Sequence, residues 1–188
     1  AAAWAVRAAF GPTAVEFYAR VYRQEPPDVT GRDVIFVDFS YKRPVMRRIL
    51  SQAMFVCVLD HHKTAEAELE GICDEFCQRP DLIANPPGSN LPFVWFDMEK
   101  SGGRLAWEYL CRFGNSINIR RLCDVQGGSL EQERQSPPWL VRYTEDRDLW
   151  RWALPQSREI TAGLRSFPLD FALWDKMARE ADFWMDRL

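Results

Sequence analysis

Two short apolar runs, each closed by an aspartate, constrain the fold of this 188-residue chain more than any other feature. Residues 34–37 are apolar and Asp38 follows them; residues 55–59 are apolar and Asp60 follows them. Runs that are apolar at every position are typical of strands buried on both faces of a parallel sheet. The segment between them, residues 42–54, predicts a helix. This order predicts an α/β fold: an open parallel sheet flanked by helices, with right-handed crossovers.

The rest of the chain continues this alternation and then becomes mostly helical. Periodicity and turn residues predict helices over residues 1–10, 64–72, 101–113, 157–167 and 169–188, and partly over 139–152. Further strands are expected over 14–22, over 81–84 and at an apolar segment that ends near Asp97. The polar stretch 116–138 indicates an insertion or a mobile excursion. We expect one domain over residues 1–188.

Composition excludes several classes of protein. With 47% hydrophobic and 13% aromatic residues the chain is globular. Its net charge of −3 gives no broad basic surface for binding duplex nucleic acid, although this composition still allows a local basic groove. No apolar run approaches the length of a membrane span, and no secretory signal is visible. Five cysteines without a CxxC pair indicate reduced thiols and a cytoplasmic location.

The chain has two histidines, and both stand directly after the second strand-ending aspartate. If the two apolar strands are neighbours, Asp38, Asp60, His61 and His62 converge at the carboxyl edge of the sheet, where parallel sheets bind ligands. Carboxylates and imidazoles suit Mn²⁺, Mg²⁺ or Zn²⁺. In the alternative interpretation Asp60 caps the following turn and the histidines are ordinary loop residues. The pairing of the adjacent histidines with two strand-ending acids favours a site.

Two other segments could take part in binding. Ser101 is predicted to cap the helix over 101–113, and Arg104 lies one turn further in; backbone N–H groups at such a helix start can seat a phosphate. Acidic and basic residues alternate over residues 142–151, which a salt-bridged helix surface explains without any function. One of these acids could instead close the metal site. The aromatic residues Tyr143, Trp150 and Trp152 could stack nucleobases or pack in the core.

Four blocks in order resemble the DHH phosphoesterase superfamily. They read VDFS, DHHKTA, EKSGGRLAW and YTEDRDLW, and the resemblance covers roughly residues 1–152. Members include inorganic pyrophosphatases, exopolyphosphatases, single-strand exonucleases, nano-RNases and cyclic-dinucleotide phosphodiesterases. They are similar to one another in using a two-metal site, usually Mn²⁺, on a Rossmann-like parallel sheet. The resemblance implies a metal-dependent phosphohydrolase or phosphodiesterase, in which a metal-activated water attacks phosphorus.

The resemblance also implies roles for individual residues. Asp38 would bridge the two metals and His61 would ligate one of them. His62 would face the substrate phosphate, together with Ser101 and Arg104, and Asp60 would orient the site. Asp146 would be the later metal ligand, with Asp148 and Asp97 as alternates. The implied cofactor is Mn²⁺, with Mg²⁺ or Co²⁺ as substitutes. The implied partner is a phosphate-containing small molecule or a short oligonucleotide; no membrane partner is expected, and a homodimer stays open.

Two departures from the family pattern lead to alternatives. A metal-ligating strand end, in this branch of Cys-x-Asp-Gly form, is expected before the first helix, and a C-terminal domain with a GGGH-type motif is expected after the core. Neither is present, so we expect a DHH core that lacks both ends. The runner-up is therefore a catalytically incomplete fold that binds a nucleotide or a protein. A third hypothesis is a structural zinc module, which would need Cys73 and Cys77 to meet other ligands.

Overall fold

The computed structural model describes residues 1–19, 24–77, 92–113, 137–181, 184 and 187, with backbone alone for 76–77 and 111–113. In chain order the elements are α1 (Ala2–Phe10), β1 (Asp33–Val37), α2 (Arg43–Gln52), β2 (Phe55–Asp60), α3 (Lys63–Leu69), α4 (Ile72–Cys77), β3 (Phe93–Phe96), α5 (Gly102–Phe113), α6 (Trp139–Asp148), α7 (Ser157–Ser166) and α8 (Phe171–Arg179).

The chain divides into two compact units. The sheet unit is Tyr18–Met98, and the helical unit combines Ala1–Phe17 with Glu99–Leu188. All three described strands belong to the sheet unit, and α1 and α5–α8 belong to the helical unit. The single domain expected over residues 1–188 stays a prediction.

The described strands form one parallel sheet in the order β1-β2-β3. Val37 pairs with Leu59, and Leu59 pairs in turn with Trp95. The central strand β2 is buried from Val56 to Asp60, which explains its unbroken apolar run. The predicted α/β fold with an open parallel sheet and helices is confirmed. Spatial order equals chain order, so these three strands contain no switch point.

The core of the sheet unit forms where α2 covers the sheet. Met46 and Ile49, three positions apart on one face of α2, pack with Val56 and Val58 of β2. Leu69 extends the same cluster from α3. Ile49 is fully buried, which contributes about 2 kcal/mol of hydrophobic stabilisation. The core therefore holds β2 rigidly up to the aspartate at its end.

The helical unit is assembled around α1 and α5. The indole rings of Trp4 and Trp107 stack with centroids 6.4 Å apart and planes 4° from parallel. Trp4 Nε1 also donates to Asp175 Oδ1 at 2.9 Å, and Arg7 forms an ion pair with the same carboxylate. These contacts connect α1 to α8.

Several predicted elements differ from the structure. The expected helix over residues 64–72 is divided at Gly71, whose positive φ of 69° ends regular helix geometry. The expected strand over 14–22 is wrong for residues 14–19, which have no regular structure. Phe17 packs there against the ring of Phe171 at 4.9 Å. Residues 20–22, the strand expected over 81–84, and 116–136 lie outside the described residues. The helix expected over 169–188 is observed as Phe171–Arg179 and is interrupted at Glu180, after which Ala181 and Trp184 are again helical.

Within the described ranges no helix has the length and apolar character that a bilayer crossing requires.

Replacing Gly71 tests the helix break. A Cβ at Gly71 would meet no atom within 4 Å, so only the backbone conformation opposes a side chain. We expect Gly71→Ala to lower the free energy of unfolding by about 1 kcal/mol, because alanine is disfavoured at positive φ. Gly71→Asn should cost less, since asparagine tolerates this region. Urea denaturation measures both variants. An alanine variant as stable as the native protein would contradict the assignment.

Candidate metal centre

The pairing of β1 with β2 brings the strand-ending acids to one edge. Asp38 N–H donates to the carbonyl of Leu59 at 2.9 Å, which continues the ladder one residue past β1. Asp97 follows β3, and its N–H lies 3.4 Å from the carbonyl oxygen of Asp60. Each of the three parallel strands thus ends at an aspartate, and all three lie at the carboxyl edge of the sheet.

Asp38, His61 and His62 form the metal-compatible group at this edge. One ligand atom from each lies within 4.8 Å of the others, and His61 Nε2 is 3.1 Å from Asp38 Oδ1. Donors about 2.1 Å from a shared ion are at most about 4.2 Å apart, so small side-chain rotations would bring all three into one coordination sphere. His61 is 12% exposed, whereas Asp38 and His62 are 43% and 45% exposed. The group is anchored on its inner side and open to solvent on the other.

Asp60 organises the turn that carries both histidines. Its side chain is 1% exposed, and Oδ1 accepts from the backbone N–H groups of His61 at 2.8 Å and His62 at 3.3 Å. Oδ1 also lies 2.6 Å from His62 Nδ1. An ionised carboxylate only accepts hydrogen bonds, so Nδ1 of a neutral His62 carries the proton and Nε2 carries the lone pair. Asp60 therefore caps the turn, as the alternative interpretation predicted, and also orients an imidazole.

The second carboxylate oxygen of Asp60, Oδ2, differs from Oδ1 in its hydrogen bonding. Oδ2 is buried, and no hydrogen-bond donor among the described residues reaches it. A buried acceptor without a partner costs about 1–3 kcal/mol, and more when it is charged. An electropositive group beside Oδ2 would lower this cost. No donor of the described residues thus offsets the burial of this oxygen, and Asp60 immediately precedes the two histidines of the metal-compatible group.

Asp38 leaves the strand in a left-handed conformation, with φ at 59°. This conformation costs most L-residues about 1–2 kcal/mol. Aspartate and asparagine adopt it more readily, because their short polar side chains form local hydrogen bonds. The turn ends the extended conformation of β1 one residue after the core. Asparagine is consequently the substitution that removes the Asp38 charge with least disturbance of the backbone.

Ser101 and Arg104 lie at the start of α5 in the helical unit. Ser101 Oγ accepts from the Arg104 N–H at 3.1 Å, so Ser101 caps the helix as predicted. Ser101 N–H points to Glu145 Oε1 at 3.4 Å, and Arg104 Nε donates to Glu108 at 2.6 Å. Carboxylates of the chain itself thus neutralise this helix start. The phosphate-binding role of Ser101 and Arg104 stays a prediction.

Asp146 holds a loop in the helical unit. This 5%-exposed carboxylate accepts from Ala153 N–H at 2.9 Å, Leu154 N–H at 3.3 Å and Ser157 Oγ at 2.5 Å. Burial raises the pKa of Asp146, but the hydrogen bonds outweigh it, and the pKa lies below its ordinary value. The metal-ligand role predicted for Asp146, or for the half-buried Asp148, remains a prediction. Residue spacing carried no signal for the loop contacts.

The loop that Asp146 holds is strained. Trp150, Trp152 and Gln156 have positive φ angles of 55°, 52° and 51°. Bulky residues rarely adopt this region, and each costs about 1–2 kcal/mol. The carbonyl of Asp146 accepts from Arg151 N–H at 2.9 Å and faces Trp152 N–H at 3.4 Å. Side-chain and backbone bonds to one residue thus offset the strain.

The zinc hypothesis is not tested by the described side chains. Cys73 Sγ lies 3.5 Å from the carbonyl oxygen of Pro92, and Cys73 belongs to no metal-compatible group found among them. The side chain of Cys77 lies outside the described residues. The Cys73–Cys77 module stays a prediction.

Comparisons with known proteins add one relative of limited overlap. The chain is 27% identical over 152 residues to an uncharacterized protein of Acanthamoeba polyphaga mimivirus. The match covers 81% of this chain and 27% of the viral protein's length. No family model matches the chain, and neither does any solved structure. Fold and site therefore define the class of protein: an α/β protein whose parallel sheet carries an aspartate–histidine group at its carboxyl edge.

The loop contacts of Asp146 predict a stability effect. Asp146→Ala leaves three hydrogen-bond donors without their acceptor and should lower the free energy of unfolding by about 3 kcal/mol. Ser157→Ala removes one of the three bonds and should cost about 1 kcal/mol. Chemical denaturation, followed by tryptophan fluorescence, measures both. Equal losses in the two variants would contradict this account.

Glu145 predicts a pH dependence. Burial raises the pKa of its carboxyl above the ordinary value, and Arg104 and the Ser101 N–H only partly oppose this. The folded state therefore holds the proton more tightly than the unfolded chain. The contribution of Glu145 to stability is full below its unfolded pKa and is lost as pH rises through the raised folded pKa.

Glu145→Gln, which stays neutral, should accordingly gain unfolding free energy relative to the native protein between about pH 4 and pH 7. Denaturation at both pH values measures the gain. Glu159→Gln removes the same charge from an exposed position on α7 and is the matched control. If the difference in unfolding free energy between Glu145→Gln and the native protein stays constant or shrinks as pH rises, burial does not dominate the pKa of Glu145.

Proposed function

We propose that this chain is the metal-binding part of a phosphohydrolase or phosphodiesterase. The observation that carries the proposal is the grouping of Asp38, His61 and His62 at the carboxyl edge of a parallel sheet. The buried Asp60, with one oxygen on His62 and the other without a donor among the described residues, supports it. The resemblance of the surrounding blocks to DHH phosphoesterases supplies the reaction class.

The donor set favours particular cations. One carboxylate and two imidazoles suit the borderline ions Co²⁺ and Zn²⁺ and also fit Mn²⁺, which accepts mixed oxygen and nitrogen ligands, whereas Mg²⁺ prefers an all-oxygen shell. We propose Mn²⁺, which the resemblance implies, ahead of Mg²⁺. When bound, such an ion polarises a phosphoryl oxygen and lowers the pKa of a coordinated water, which supplies the nucleophile at neutral pH. Little acid–base chemistry is then left to the side chains.

The residues of the chain divide the remaining work. Asp38 and His61, whose Oδ1 and Nε2 lie 3.1 Å apart, would hold the ion, and Asp60 holds the ring of His62 through Nδ1. Nε2 of His62 then serves either as a third ligand or as the contact to a phosphoryl oxygen. His62→Gln separates these two roles, because loss of metal affinity indicates a ligand, whereas a raised KM with unchanged metal affinity indicates a substrate contact.

The alternative function is a non-catalytic module that binds a nucleotide or a protein. One observation favours it: the described side chains contain a single three-residue group, enough to hold one ion, whereas two-metal hydrolysis needs further ligands. Substrate, homodimer formation and a cytoplasmic location stay predictions. Turnover distinguishes the alternative from the leading proposal.

Metal binding tests the proposed site. We expect Mn²⁺ to bind with micromolar affinity in calorimetric titration, and Asp38→Asn and His61→Ala each to weaken it by more than the roughly 10–100-fold that loss of an outer partner causes. Asp33→Asn changes the same residue type at the amino end of β1 and should leave binding unaltered. Binding that survives the Asp38→Asn/His61→Ala double substitution would overturn the site.

Hydrolysis tests the reaction. With Mn²⁺, the protein should hydrolyse bis(p-nitrophenyl) phosphate or inorganic pyrophosphate, and Asp38→Asn and His61→Ala should each abolish turnover while Asp33→Asn retains it. Mn²⁺ binding without turnover of either compound would favour the binding module. Turnover by the double variant in EDTA would refute a metal-dependent mechanism.

A further inference from the structure

The loop between α6 and α7 displays an unusually exposed tryptophan. Trp150 is 76% exposed, more than any other aromatic side chain among the described residues. Tryptophan is rarely left in water, because its ring carries a large apolar area. An exposed ring of this size is therefore a candidate contact surface for a ligand.

The backbone fixes this exposure. Trp150 and Trp152 both have positive φ angles, a conformation that bulky residues rarely adopt. The loop is held in it by Asp146, whose carbonyl accepts from Arg151 N–H and whose carboxylate accepts from Ala153 N–H, both at 2.9 Å. Local strain that a surrounding structure maintains is characteristic of binding sites.

The rings of Trp150 and Trp152 contact each other, and Arg158 covers one face of Trp152. Their rings meet edge to face, with centroids 5.9 Å apart and planes at 86°. The guanidinium of Arg158 lies over the Trp152 ring, 4.3 Å from its centroid. Trp152 is thus engaged on one face, and Trp150 offers the exposed aromatic surface.

The charge of the loop selects among possible ligands. The loop, residues 149–156, contains one arginine and no acidic residue, a formal charge of +1, and Arg158 follows in the first turn of α7. The guanidinium of Arg151 donates to the backbone carbonyl of Glu99 at 2.6 Å, and the exposed Glu99 carboxylate lies 4.0 Å away, a weak surface ion pair. This positive loop disfavours a cationic ligand of the kind that aromatic cages bind and favours one that carries a negative charge.

We propose that Trp150, backed by Trp152 and flanked by Arg151 and Arg158, is a stacking site for a nucleobase that carries a phosphate. A planar base stacks on an exposed indole irrespective of its sequence, and arginines beside it attract the phosphate backbone. The ligand is thus a nucleotide within a short single strand. The site lies in the helical unit and does not depend on the metal centre of the sheet unit.

Titration in EDTA tests the stacking site without any contribution from the metal centre. The probes are a deoxyadenylate hexamer and ribose 5-phosphate, which has the sugar and phosphate but no base. We expect the hexamer to quench tryptophan fluorescence and to shift the indole N–H resonance of Trp150, with an affinity that falls as salt rises. Ribose 5-phosphate should produce neither effect.

Three variants complete the test. Trp150→Leu, which removes the π face, should weaken hexamer binding about tenfold, and Trp150→Phe, which keeps a smaller one, should weaken it less. Leu169→Ala, at a 92%-exposed apolar position of the same unit, should change nothing. Matching circular dichroism and Tm for the three variants show that the fold is retained.

The proposal is overturned if Trp150→Leu binds the hexamer as tightly as the native protein, or if ribose 5-phosphate binds equally well. It is also overturned if Trp150→Leu abolishes self-association in sedimentation while leaving hexamer binding intact, because Trp150 would then be a protein interface. Loss of Mn²⁺ binding or of hydrolysis leaves the stacking site unaffected, so failure of the proposed function is distinguishable from failure of this one.

Discussion

The hydrogen-bond ladder between β1 and β2 is the constraint on which the metal centre depends. Successive side chains of a strand alternate between faces, so a slip of one residue would turn Asp38 away from the histidines. The ladder continues past β1 through the bond from Asp38 N–H to Leu59. Full burial of Val58 and Leu59 makes any other register costly, because it would expose the apolar core.

Asp60 and Asp146 are both buried, but their different hydrogen-bond partners give them different roles. Asp146 receives donors at both oxygens and holds a strained loop in place. Asp60 receives donors at Oδ1 alone, and none of the described residues donates to Oδ2. A satisfied carboxylate stabilises the fold, whereas an unsatisfied one beside other ligands is suited to a cation. This contrast separates a structural acid from a candidate functional one.

The sequence best predicted the elements that have a continuous apolar run or a recognisable capping residue. The continuous apolar runs predicted β1 and β2 to within a residue, and Ser101 was correctly expected to cap α5. The strand expected at 14–19 was wrong, because alternating residues form a strand only when a neighbouring strand accepts their hydrogen bonds. The predicted helix over 64–72 is divided at Gly71, which has a positive φ. A glycine occurs both within helices and at their ends, so its presence in the sequence did not predict the break.

By itself, the sequence determined that two buried parallel strands end in acids and that both histidines follow the second. Local order and apolar pattern suffice for that, because each is a property of neighbouring residues. Only the tertiary structure decided that His61 Nε2 lies beside Asp38 Oδ1, that Glu145 faces the start of α5, and that Asp146 holds the loop of Trp150. These contacts depend on which side-chain atoms packing brings within hydrogen-bond distance, and no spacing along the chain specifies that.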